Sequence, residues 1–225
     1  MVAAGLLLLA DARLPAGGHV HSGTLEAAAR TGAVTDVPSL HRFLAGRLRS
    51  AGLVAAAFGA AATRLALDGA GRAPESWAEL DAELDARTPA AGQRLASRQQ
   101  GRGLLRTLRP DEVLTGLRKG SPTAGPHHPL AFGAAATRLG GTPADVATAL
   151  ALHAVTGPAS AAIRLLALDP FAVQHVLNDL SSTVDEIAAE AAVPLPWPEL
   201  PAEGAPALDV LADTHPTLPD TLFVS

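Results

Sequence analysis

Leu14-Pro15-Ala16-Gly17-Gly18-His19-Val20-His21-Ser22-Gly23-Thr24-Leu25-Glu26 is the stretch on which the fold turns. A leucine-rich run from Leu6 to Ala10 precedes it and an amphipathic run follows. Pro15 stops the first run, because proline has no N–H to give a helix. Gly17 and Gly18 free the backbone for a tight reversal. Ser22 can cap the next helix by accepting from its first free N–H groups, and Glu26 falls in the positively polarised first turn. The stretch reads as a helix–turn–helix corner.

The bulk composition agrees. A chain of 225 residues, 48% hydrophobic and 17% charged, is globular and long enough for a sizeable core. Alanine and leucine supply most of the apolar content and aromatics only 3%, which favours closely packed helices over strands. The absence of cysteine excludes disulfides and thiolate metal sites and fits a reducing cytoplasm. Asp11 and Arg13 interrupt the N-terminal apolar run early, against a secretory signal. The longest uncharged apolar stretch, Ala51 to Ala62, is too short to span a bilayer, so no membrane partner is expected.

The net charge of −5 is a poor match for nucleic acid. It also hides an asymmetry. Eight basic and two acidic residues lie between Arg87 and Lys119, whereas ten acidic and no Lys or Arg residues follow Arg164. Such polarity points to complementary docking, internal or onto a partner.

Helix starts are legible at Asp36-Val37-Pro38, with a helix to about Leu67, and at Thr142-Pro143-Ala144-Asp145. Further helices are expected over Glu75 to Arg87, from a Thr88-Pro89 cap to about Leu108, over Asp111 to Lys119, and over His127 to Leu139. The helix from Thr142 is expected to pause at Gly157-Pro158 and resume to Leu168. A last long helix starts at Asp169-Pro170, with Val173, Val176, Leu177, Leu180, Val184 and Ile187 inward. From residue 194 recurrent prolines forbid one long helix, yet Leu195, Trp197, Leu200, Leu208, Leu211, Leu218, Leu222 and Phe223 are anchors a solvated linker would not need. The expected fold is therefore all-α: a single-domain bundle of about eight to ten helices over 1–193, and a Pro-rich apolar and acidic tail, 194–225, docked on the body or a partner.

The segment AFGAAATRL occurs at 57–65 and again at 131–139. It marks two similar tight helix contacts in which Gly59 and Gly133 let backbones approach. Arg94, Arg98, Arg102 and Arg106 share one broad helix face, read as a solvated face or an anion-complementary docking surface. His19 and His21 could place two ligands near one nickel or zinc ion, but two are not a site, and a capping and packing role accounts for them. His127-His128 reads as a helix start. No phosphate loop and no nucleophile–base motif is found, so an enzyme is not expected.

Several patches resemble the UreF family of urease accessory proteins. Leu9 to Glu26 resembles its signature S-D-x-x-L-P-x-G-G-F-x-H-S-G-G-L-E. Arg94 to Leu105 is similar to R-E-x-S-x-x-Q-G-x-x-L-L, with Ser97, Gln100, Gly101, Leu104 and Leu105 in place. His127 to Gly133 is similar to H-x-P-x-A-F-G, and Ser160 to Leu168 to S-A-A-V-R-L-x-x-L. The ending Leu222-Phe223-Val224-Ser225 resembles R-L-F-x-S. His19, Thr221 and Pro216 depart from the family pattern. An aromatic and an arginine can stack as a cation–π pair, so their joint replacement implies that His19 and Thr221 face each other.

The resemblance implies an all-α protein that forms a homodimer and binds UreD (UreH in some species) and the GTPase UreG. It implies a non-catalytic scaffold or chaperone supporting GTP-dependent nickel insertion into apo-urease, without a cofactor of its own. The alternatives are a binding module of the same fold no longer serving urease, and a histidine-dependent nickel-binding protein. The partner-binding residues so implied are Pro15, Gly17, Gly18, His19, His21, Ser22, Glu26, Arg94, Arg98, Gln100, Gly101, Arg102, Thr221, Leu222, Phe223 and Ser225. His19 and His21 are the metal candidates.

Overall fold

The computed structural model describes residues 4–11, 14 and 21–223. Among them every regular element is helical: α1 (Ala4–Leu9), α2 (Leu25–Arg30), α3 (Val37–Arg47), α4 (Leu53–Leu67), α5 (Pro74–Ala86), α6 (Ala91–Arg106), α7 (Glu112–Gly120), α8 (His128–Thr137), α9 (Pro143–Leu166), α10 (Pro170–Asp179), α11 (Ser181–Ala191) and α12 (Pro206–Thr214). The expected all-α bundle is what forms. The helix expected from Asp36 runs on to Leu67 through a π turn, while the one expected from Asp169 is broken in two.

The helix starts have the chemistry read for them. The Asp36 carboxylate accepts from the Ser39 N–H at 2.8 Å in a capping box, and Thr142 and Asp145 form another. Asp111 caps α7 through the Leu114 N–H. α6 lacks the expected Thr88 cap: it begins after Ala90 with no side-chain cap. α3 passes into α4 through one π turn, Leu48–Gly52. The helix from Asp169 breaks at Leu180 into α10 and α11.

α4 is the centre of the bundle. Leu53, Val54, Phe58, Leu65 and its intervening alanines are buried, as befits a helix that is apolar all round. α8, α9 and α11 pack around it. The two copies of AFGAAATRL meet here. A Cβ on Gly133 would run into the Gly59 carbonyl oxygen, and Gly59 in turn admits the Leu150 side chain of α9. The shared glycine thus serves a backbone approach in α8 and a side-chain slot in α4. Two helical runs, Val37–Leu67 and Pro143–Leu166, are long and apolar enough to cross a bilayer, in contrast to the reading from uncharged stretches, and most of the apolar stretch within each is buried in the fold.

α9 does not pause at Pro158; it runs through it. Proline has no N–H for the carbonyl four residues back, which leaves Ala154 O unpaired inside the helix. The Arg47 Nε donates to that oxygen at 3.1 Å, so a remote side chain repairs the gap. An Arg47→Leu substitution should therefore cost about 1–3 kcal/mol, the price of an unsatisfied buried acceptor. In a Pro158→Ala background, whose new N–H can take the same oxygen, most of that loss should disappear. A denaturant double-mutant cycle measures the coupling, and strict additivity would refute the repair.

The segment after α11 returns over the body. Arg87 holds it, donating to the carbonyls of Leu200 at 3.3 Å and Pro198 at 3.0 Å. Arg64 likewise donates to Ala192 O. α12 then lies against α6 and α2.

Candidate functional site

The corner after residue 20 is built as the sequence predicts, with one addition. Gly23 and Thr24 both adopt left-handed backbone, at φ 61° and 70°, and the Leu25 N–H closes the turn on Ser22 O at 3.3 Å. Such a conformation is uncommon for a β-branched residue. Ser22 Oγ then accepts from the Glu26 N–H at 3.1 Å, as expected of a cap. Pro15, Gly17, Gly18, His19 and Ser225 lie outside the described residues, and with them the expected His19–Thr221 contact.

Glu26 does far more than face a helix dipole. Its side chain is fully buried, and the C-terminal segment is fastened to it. Oε1 accepts from the Leu222 N–H at 2.7 Å. Oε2 accepts from the Phe223 N–H at 3.0 Å and from His215 Nε2 at 3.1 Å. Arg30 reinforces the join by donating to Asp220 O at 2.7 Å. Phe223 is buried, with the Arg164 guanidinium 4.6 Å from its ring centroid, within cation–π range. Burial by itself would raise the Glu26 pKa. The Leu222 N–H, His215 and the Phe223 N–H outweigh it and hold the carboxyl below its ordinary value. Thr221 and Leu222 turn outward, Leu222 being 69% exposed.

The arginine ladder is neither a solvated face nor the counterpart of the acidic C-terminal third. Arg98 is buried and grips α5: it donates to both Asp81 oxygens, at 2.8 and 3.2 Å, and to Asp85 Oδ1 at 2.6 Å. Arg94 donates to Thr88 O and Pro89 O, and Arg102 to Ala124 O. Only Arg106 at the far end is exposed. The spacing was legible, but the nearest acceptors were local carbonyls and the α5 acids. Gly101 explains its own place in the segment, since a Cβ there would run into Pro126 O. Gln100 beside it is part-buried.

Around Arg98 the structure assembles a chain of polar groups that the sequence did not reveal. Ser97 Oγ lies 3.0 Å from His127 Nδ1, and His127 Nε2 lies 2.9 Å from Asp85 Oδ1. Burial drives the His127 pKa down despite Asp81. The neutral ring therefore accepts from Ser97 O–H and donates to Asp85. The order resembles a nucleophilic triad, but Asp85 is already neutralised by Arg98, and Ser97 Oγ accepts from the His128 N–H at 3.1 Å. Its chemistry is positional: it fastens the α7–α8 loop to α5 and α6. Ser97→Ala should cost about 1–2 kcal/mol in urea unfolding, by orphaning two buried groups. An unchanged midpoint would contradict this role. The signal was Ser97 and His127 lying in separate motifs 30 residues apart, which no local pattern joins.

His21 is buried at the same end of the bundle, close enough to disfavour charge on His128. Among the described residues no three His, Cys, Asp or Glu side chains converge on a metal position. Between the Glu26 join and the His127 network lies a cavity of about 200 Å³, bounded by the Gly23–Thr24 turn, Arg47, α4, α6, His128 and α12.

A sequence model of the family described as UreF matches residues 34–181. Curated relatives match almost end to end. The urease accessory protein UreF of Mycobacterium sp. (strain JLS) is 44% identical over 98% of this chain and 97% of its own length. That of Mycolicibacterium vanbaalenii is 44% identical, over 99% and 98% respectively. That of Mycobacterium tuberculosis (strain ATCC 25618 / H37Rv) is 42% identical, over 98% and 97%.

Proposed function

Since the chain belongs to the UreF family of urease accessory proteins, we propose that it is a non-catalytic scaffold of the UreD–UreF–UreG complex, supporting GTP-dependent nickel insertion into apo-urease in the cytoplasm. Nickel is cargo in this reading and needs no resident site. The observation that carries it is the docked tail. Glu26 draws the C-terminal backbone onto α2, and this leaves Thr221 and Leu222 outward beside it. With the family membership, the outward Thr221 and Leu222 on this docked segment are assigned to contact with another protein. UreD is the partner assigned to this face. Leu7 and Leu8 of α1 and Phe171 of α10 are further exposed apolar side chains and supply surface for a homodimer and for UreG. A scaffold of this kind promotes metal release only by binding one nucleotide state of UreG better than the other, because equal affinity shifts nothing.

The test is co-purification of the tagged chain with cognate UreD and UreG, together with urease activity in cells lacking the chain. Retention of both partners and restored, nickel-dependent activity are expected. Loss of neither partner's function on deletion, and no association with either, would remove the reading. Stoichiometric nickel uptake by the isolated chain in equilibrium dialysis would favour a metal-binding protein instead.

A further inference from the structure

We propose that the cavity beneath α12 is a binding site for a short monocarboxylate, with Arg47 as its anion partner. Among the described residues Arg47 is held at the cavity wall by one hydrogen bond, from Nε to the Ala154 carbonyl that Pro158 leaves free. Its terminal nitrogens lie against Gly23, where a Cβ would stand 3.1 Å from Cζ and from Nη2. Those nitrogens donate to no described residue, and no carboxylate among the described residues pairs with the side chain. Surrounding protein pushes the guanidinium down to about 10, so it is still cationic at neutral pH. A part-buried cation with no carboxylate partner among the described residues attracts an anion, and the open cavity beside it gives that anion room.

Two more groups on the same wall have unused capacity. The Gln100 amide and the His128 ring line the cavity and make no side-chain hydrogen bond among the described residues. His128 is neutral, held to about 3 by burial and by His153 and His21, and can donate to an oxygen without adding charge. A guanidinium fork matches a planar carboxylate with two parallel bonds.

The remaining lining sets charge and size. The other arginine there, Arg87, is committed to Glu83 and to the tail carbonyls. Glu203 and Asp209 stand on the α12 side. Among the described lining residues, one available cation and two acids favour a single negative charge over a phosphate dianion. Val54, Ala55, Leu84 and Ala96 offer an apolar wall to a short chain, and about 200 Å³ limits its length. Because Ala205, Asp209, Ala212 and His215 form part of the boundary, a bound acid must favour the docked tail by mass action.

The test is calorimetric titration of the full chain with sodium propionate against sodium chloride at equal ionic strength, with the melting midpoint as second readout. Saturable propionate binding and a raised midpoint are expected, with inorganic phosphate weaker. Arg47→Gln should weaken binding at least tenfold and Gln100→Leu at least threefold. If Arg47→Gln does not fold, Gln100→Leu carries the comparison. The peptide N-acetyl-Ala-Glu-Ala-amide separates the sources of the carboxylate. Preference for propionate assigns the site to a free acid; preference for the peptide assigns it to a side chain presented by a protein, and the chemistry stands either way. No propionate binding beyond the chloride control, tighter phosphate than propionate, or unchanged affinity in the folded variants would overturn the proposal.

Discussion

A Glu26→Ala variant should keep its helical core and lose its docked C-terminus. The carboxylate serves two backbone N–H groups and His215 inside the protein, and charge-assisted bonds of this kind contribute roughly 1.5–3 kcal/mol each. The tail can escape to water, so the loss is local. Amide exchange at Leu222 and Phe223 should accelerate by about 100-fold or more, equivalent to about 2.7 kcal/mol, while α4 and α8 remain protected. Unchanged exchange at those two amides would refute the role of Glu26.

The pH dependence follows from the same carboxyl. Its folded-state pKa lies below the ordinary 4.5. The unfolded chain therefore takes up the proton first, and the stabilisation is complete above pH 4.5 and lost as pH falls through the lower, folded value. Docking should persist at neutral pH and fail in acid. Glu26→Gln cannot titrate and should lose this acid-driven step.

The second large effect lies in the core. Gly133→Val should lower stability by about 3 kcal/mol or more, because the new side chain meets backbone that cannot move aside. The obstacles are the Gly59 carbonyl and the Thr63 N–H of α4. At roughly 2–4 °C per kcal/mol for a chain of this size, the melting midpoint should drop by roughly 6–12 °C. Gly46→Ala is the control: an added Cβ there meets nothing within 4 Å, and the better helix former should be neutral or slightly stabilising. Equal midpoints for the two variants would mean that the α4–α8 contact is looser than described.

These cases mark where local reading succeeds. Asp36, Asp111, Thr142 and Ser22 cap the helices they precede because capping acts within four residues, and sequence displays that spacing directly. The alanine-rich repeat likewise announced close packing. What escaped were effects with remote partners. Pro158 looked like an interruption because its repair comes from Arg47, 107 residues away along the hydrogen bond to Ala154. The break at Leu180 escaped because the apolar stripe continues across it. The arginine ladder was visible as a face, but its acceptors are the α5 acids for Arg98 and, for Arg94 and Arg102, backbone carbonyls, which carry no sequence signature. Glu26 was placed in the right turn and given too small a task, since nothing near it names residues 215–223.

The join at Glu26 also dictates an order of events. Its partners lie 189 to 197 residues downstream, almost the full length of the chain. Synthesis from the N-terminus makes Glu26 long before these partners. Until residues 215–223 have been made, the carboxylate lacks these three donors and is served by water. Closing so long a loop is entropically unfavourable until the intervening helices have brought its ends together. The contact is thus late to form and among the first to open, so its closure reports that the helices between its two halves have packed.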